Sequence, residues 1–171
     1  MGREIRKVPA NWEHPKSTDG YGRERFQPMF NSTFAEAAAD WKAEFAKWEA
    51  GERPDYCGEE SRGLEHWEYA GAPPDREYYR PWSDAEAVWF QVWETVSEGT
   101  PVSPPFATPD ELIDYLATNG DFWDQKRGDG PWDRGAATRF VGTGWAPSMI
   151  VTGGQIITPR DGGFPAEGAT A

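Results

Sequence analysis

The chain has 171 residues, enough for one domain of ordinary size, and although only 37% are hydrophobic, the 10 Trp, 9 Phe and 6 Tyr can build a core and exclude full disorder. A net charge of −12 argues against direct contact with nucleic acid or an anionic membrane. The single Cys57 excludes an intrachain disulfide and points to a reducing compartment, and no run approaches the roughly 18 apolar residues of a membrane span.

Residues 1–30 read as an extended arm that packs on the domain. Arg3, Arg6 and Lys7 precede Pro9, and Trp12, Pro15, Gly20, Gly22 and Pro28 then break any period. Thr33 and Glu36 form an S/T-x-x-E capping box, which places a helix over about 32–50. Behind the box, Phe34, Ala37, Ala38, Trp41, Phe45 and Trp48 recur at helical spacing and are expected to face the core. A short helix around Glu60–Tyr69, with Leu64 and Trp67 inward, leads into a loop enforced by Gly71, Pro73 and Pro74. The stretch 88–96 is dense in β-branched and aromatic residues and reads as a strand; a helix begun at the Ser83–Glu86 box and continued through it is the alternative.

Thr108, Pro109 and Glu111 open the next helix, with Leu112, Ile113 and Leu116 on its apolar face and Asn119-Gly120 at its end. A shorter helix over Trp132–Val141 turns Ala136, Ala137 and Phe140 inward. Residues 148–152 and 155–158 form a hairpin around Gly153-Gly154. The sum is an α+β fold in which a small antiparallel sheet of about three strands (88–96, 148–152, 155–158) packs against two to four helices. The expected organisation is an arm over 1–30, one domain over 31–158 and a flexible tail over 159–171.

The charge is unevenly placed. Residues 31–121 carry twenty acidic against six basic side chains, the first thirty residues are slightly basic and the last fifty neutral. An acidic segment of this kind suits a partner with a basic surface, because complementary potentials favour its approach. No constellation for catalysis stands out: His14 lies in a turn, Cys57 and His66 lack an orienting third residue, and no cofactor motif is present. Asp121, Asp124, Asp129 and Asp133 lack the spacing of a calcium loop, so no metal site is expected; they are the carboxylates of a hydrolase reading that depends on their converging in space.

Several multi-residue phrases carry a resemblance. They are Met1-Gly2-Arg3-Glu4-Ile5-Arg6, Trp12-Glu13-His14-Pro15, Pro73-Pro74-Asp75, Glu77-Tyr78-Tyr79-Arg80-Pro81, Glu94-Thr95-Val96-Ser97-Glu98-Gly99-Thr100-Pro101, Gly120-Asp121-Phe122-Trp123-Asp124-Gln125 and Gly144-Trp145-Ala146-Pro147-Ser148-Met149. Over roughly residues 1–150 the chain resembles a family of short proteins of tailed bacteriophages and prophages. The resemblance implies a viral origin and a bacterial host cytoplasm, and brings no activity or catalytic residues with it.

The expected function is that of a non-enzymatic phage accessory protein that binds and inhibits or redirects a host protein with a basic surface. A nucleic-acid-binding or defence complex, met by an acidic mimic as anti-CRISPR and anti-restriction proteins do, is such a target. Candidate contacts are Glu59, Glu60, Glu65, Glu68, Asp75 and Glu77 with the loop aromatics Tyr78, Tyr79 and Trp82. A phage structural or assembly component is the alternative, and an Asp/Glu hydrolase the third reading.

Overall fold

The computed structural model describes residues 2–96 and 99–161. In chain order the elements are β1 (Gly2–Val8), β2 (Lys16–Thr18), β3 (Glu24–Phe26), β4 (Phe30–Thr33), α1 (Phe34–Glu49), α2 (His66–Ala70), β5 (Tyr79–Arg80) and β6 (Trp89–Glu94). They continue with β7 (Thr100–Pro101), α3 (Pro109–Asn119), α4 (Phe122–Arg127), α5 (Arg134–Thr143), β8 (Trp145–Pro147), β9 (Ile150–Thr152) and β10 (Gln155–Ile157). The chain divides into two compact units, residues 1–28 with 82–171 and residues 29–81. The mixture of helices with small, mainly antiparallel sheets is the expected α+β class.

The larger unit is built on a four-stranded antiparallel sheet in the order β7-β6-β1-β8. The strand expected over 88–96 forms over Trp89–Glu94, and the Ser83–Glu86 box closes only one turn before it: Ser83 N–H and Oγ donate to Glu86 Oε2 at 2.9 and 2.7 Å. Alternation along β6 then separates two environments. Val92 and Phe90 pack into the apolar cluster of Leu112, Leu116, Trp132, Ala137, Phe140 and Ala146 beneath α3 and α5. Gln91 and Trp93 are buried with different partners, Trp93 against the His14 ring at 4.8 Å and the Arg6 guanidinium at 4.4 Å.

The expected sheet is corrected in one respect. The hairpin β9–β10, turned through Gly153 and Gly154 with φ of +55° and +77°, is a two-stranded sheet by itself and does not join β6. On the side away from β7, the partner of β6 comes from the segment read as an arm: β1 pairs with it from Arg3↔Glu94 to Val8↔Trp89. Pairing satisfies the backbone groups of residues 2–8, which an extended arm would leave to water. Residues 159–161 form a 3₁₀ turn, and the rest of the expected tail, 162–171, lies outside the described residues.

The smaller unit, 29–81, carries α1, α2 and a short parallel pairing of β4 with β5. Thr33 and Glu36 form the reciprocal cap of α1 that their spacing predicts. The stripe behind the cap is less buried than expected, since Trp48 is enclosed while Phe45 remains 39% exposed. On the short helix α2 the phase also differs: Trp67 points to solvent and Leu64 is exposed, while His66 is the inward residue at 2% exposure. Its ring is held edge-on by Trp41, Phe45 and Trp48. Among the described residues no helix is long and apolar enough to cross a membrane.

Candidate functional site

The expected contact residues separate by unit. Glu59, Glu60, Glu65, Glu68, Asp75 and Glu77 are all exposed in the smaller unit, in two stretches of chain, 59–68 and 75–77. Local hydrogen bonding orients several of them. Glu68 Oε2 accepts the Glu65 N–H at 2.9 Å across the start of α2, and Asp75 Oδ1 accepts the Glu77 N–H at 3.1 Å. These carboxylates satisfy orphan amides at helix starts while still facing water.

The three aromatic candidates have different fates. Tyr78 is 37% exposed and remains available. Tyr79 is half-buried, its ring stacked on Phe30 at 5.0 Å within the β4–β5 pairing, which makes it a packing residue. Trp82 is not a surface contact: it belongs to the larger unit, is 4% exposed and meets the Trp12 ring at 4.4 Å. An indole of that area is stabilised by leaving water, and Trp12 supplies its cover. The most exposed aromatics of the smaller unit, Trp67 at 61% and Tyr56 at 84%, are not among the expected contacts. In sequence Trp67 stands between Glu65, the N-cap of α2, and Glu68, and that juxtaposition of an indole with carboxylates is the signal that could have singled it out.

In the larger unit a groove of about 600 Å³ is walled in part by Arg3, Trp123, Asp124, Arg127 and Trp132. Asp121 is the N-cap of α4 and accepts from the Trp123 and Asp124 N–H groups at 2.7 and 3.0 Å and from Arg3 Nε of β1. Asp124 Oδ2 accepts from the Asp121 N–H at 3.0 Å and the Trp132 indole N–H at 2.7 Å, and its Oδ1 from Arg127 at 3.2 Å. Burial, and then the neighbouring Asp121 carboxylate, push the Asp124 carboxyl above its ordinary range, against the pull of Trp132, the Asp121 N–H and Arg3. With their lone pairs engaged in this way, the two carboxylates cross-link α4 to β1 and to the α4–α5 loop.

Of the other two acids of the run, Asp129 shares Arg127 with Asp124 on the same groove, and Asp133 serves elsewhere. Asp129 pairs with Arg127 at 2.6 Å, and Asp133 caps α5 by accepting the Ala136 N–H at 2.9 Å. Among the described residues no group of three or more His, Cys, Asp or Glu side chains is arranged to hold a metal ion.

The remaining titratable candidates are enclosed. His14 Nε2 lies 2.6 Å from the Gln27 carbonyl, and burial, with the Arg6 charge as a lesser cause, holds the ring below its ordinary pKa despite that bond. Cys57 is buried, with its thiol directed at the Gly58 carbonyl at 3.7 Å.

Fold and geometry define a small two-unit α+β protein in which the expected acidic contacts and the exposed Tyr56, Trp67 and Tyr78 lie on the smaller unit, and in which buried acids cross-link elements of the larger one. No protein-family model, no curated protein and no solved structure matches the chain.

Proposed function

We propose that the protein is a non-enzymatic phage accessory protein, acting in the bacterial host cytoplasm, that docks its smaller unit on a host protein with a basic surface. The observation that carries this reading is Trp67, 61% exposed and flanked in sequence by Glu65, the N-cap of α2, and Glu68, both exposed. A large aromatic face left in water beside carboxylates suits lysine and arginine side chains, which gain a cation–π contact and a charge pairing at one place. Buried Trp residues are also the commonest source of interface energy. The composition of the unit agrees, with twelve acidic against six basic side chains over residues 29–81. Glu59, Glu60, Asp75, Glu77 and Tyr78 add exposed groups of the same chemistry to the unit.

The test is capture of host proteins by the full chain at about 50 and about 500 mM salt, with Trp67→Ala and the double variant E65Q/E68Q run in parallel. A specific basic partner held at low salt, released at high salt and lost in both variants is the expected result. Retention that is indifferent to salt and to both variants would overturn the reading.

A further inference from the structure

The smaller unit contains a cavity of about 360 Å³ that the proposed docking face does not use. Its aromatic wall is the stacked pair Trp48 and Tyr69, with ring centroids 4.6 Å apart and planes 26° from parallel. Arg53 lies across this wall, its guanidinium carbon 3.7 Å from the centre of the Trp48 ring. The Arg53 Nη1 group is committed to the backbone, donating to the Trp48 and Glu52 carbonyls at 2.6 and 2.9 Å. The Nε of the same side chain is buried without a hydrogen-bond partner.

A second polar side chain on the cavity is in the same condition. His66 is 2% exposed, and its Nδ1 is buried without a partner. Outside the cavity lining, the Trp41 ring packs edge-on 4.9 Å from the His66 ring, and the Trp41 indole nitrogen is also unpartnered. Native proteins satisfy the great majority of buried polar atoms, so two such atoms on side chains that line one cavity, with a third on the Trp41 ring packed against His66, call for a physical reason.

The donor inventory specifies what is missing. Arg53 Nε and Trp41 Nε1 can only donate, and no described hydrogen bond fixes the tautomer of His66, so its Nδ1 is free to donate as well. The cluster therefore wants acceptor oxygens. The Nε–Nη2 edge of a guanidinium is a fork that matches the two oxygens of a carboxylate. Glu44 and Glu52 are balanced along the wall by Lys47 and Arg53, so an entering anion meets no net negative field from the lining. The stacked Trp48–Tyr69 pair offers a flat apolar face for a ring. A volume near the lower end of the roughly 300–1,000 Å³ range of small-molecule sites fits one or two fused rings.

We propose that this cavity is a binding site for a small aromatic carboxylate, with the carboxylate on the free edge of Arg53 and on His66, and the ring against Trp48 and Tyr69. The site is a small-molecule site, separate from the docking of a basic protein on Trp67, and either can exist without the other.

The presence of only two histidines gives a direct readout with its own control. Benzoate is titrated into the full chain while the imidazole carbon–proton resonances are followed by NMR, with benzylammonium as the probe of opposite charge. The expected result is a saturable shift of His66 while His14, in the larger unit, stays still, with no comparable shift from benzylammonium. Arg53→Lys keeps the charge and removes the fork, and is expected to weaken benzoate at least about tenfold while leaving the ligand-free spectrum close to that of the parent. Failure of benzoate to move His66 would overturn the proposal, as would equal responses to both probes or undiminished binding by R53K.

Discussion

Trp132 donates its indole N–H to Oδ2 of Asp124 at 2.7 Å, joining the segment ahead of α5 to the first turn of α4. Trp132 also belongs to the apolar cluster, packing on Phe140 at 5.2 Å, so one side chain serves both the core and the acid network. Asp124 passes the connection to Asp121, and Asp121 passes it to Arg3 at the start of the chain. The arrangement turns a run of acidic residues into a clasp.

Trp132→Phe tests the polar half of that link, since it keeps most of the apolar volume and deletes the donor to a buried charge. A hydrogen bond to a charged group contributes about 1.5–3 kcal/mol, and a loss of that size in urea unfolding is expected. A change within about 0.5 kcal/mol would mean that Asp124 is adequately satisfied without the indole.

Asp124 also gives the clasp a pH dependence whose sign is fixed. Its carboxyl is raised in the folded state by burial and by Asp121, above the ordinary 3.8. As pH falls, the folded protein therefore takes up this proton before the unfolded chain does. The contribution of Asp124 to stability grows as pH falls through the folded value and levels off below the unfolded one. Urea unfolding of the parent and of Asp124→Asn at about pH 7 and about pH 4 isolates the effect. The parent should gain on the variant at the lower pH; an unchanged or reversed difference would show that the shift is not realised.

Two tryptophans expected on sequence grounds in exchanged roles provide a third comparison. Trp82 is enclosed against Trp12, and Trp82→Ala is expected to cost about 3–5 kcal/mol through the cavity it leaves. Trp67 is mostly in water, and Trp67→Ala is expected to stay within about 0.5 kcal/mol of the parent. Thermal unfolding of the two variants distinguishes them, and similar losses would remove Trp67 from the surface and from the proposed interface.

Local signals were legible because the residues that make them are neighbours. The Thr33–Glu36 and Thr108–Glu111 boxes, the Gly153-Gly154 turn and the alternation of 88–96 all recur in the structure. What escaped depends on distant partners or on phase. Residues 2–8 look like a basic arm because Arg3 and Arg6 are read as solvated charges, whereas Arg3 meets Asp121 and Arg6 is buried over Trp93. Over the five residues of α2, periodicity cannot tell a buried His66 with an exposed Trp67 from the reverse. Asp121 and Asp124 stand in the sequence as carboxylates of a hydrolase reading, although D-x-x-D also spells an N-cap with its reciprocal acid. For the candidate site, the acids were visible from composition, but which aromatics stay in water was settled by packing.

Gly120 and Gly128 close α3 and α4 with nearly the same φ, +73° and +74°, but with ψ of −179° and +25°, so Gly128 is left-handed helical while Gly120 occupies a region essentially reserved for glycine. Alanine at Gly128 meets the left-handed penalty of about 1–2 kcal/mol, and alanine at Gly120 meets the strain of its glycine-only region, of order 1–3 kcal/mol. At Gly128 nothing lies within 4 Å of the added Cβ, so that penalty is the whole expected loss. At Gly120 the same Cβ would stand 2.8 Å from the Asp124 Cβ and 2.9 Å from the Gly130 carbonyl oxygen, and the second of these is backbone. Relief requires moving Asp124 away from Asp121 and Trp132 or shifting the 128–132 loop, either of which loosens the network. Gly120→Ala is therefore expected to lose at least about 1 kcal/mol more than Gly128→Ala in urea unfolding, and to lose less of its stability when Asp124 is already Asn. Equal losses at the two glycines, or strict additivity with Asp124→Asn, would show that the close approach at Gly120 is not coupled to the acid pair.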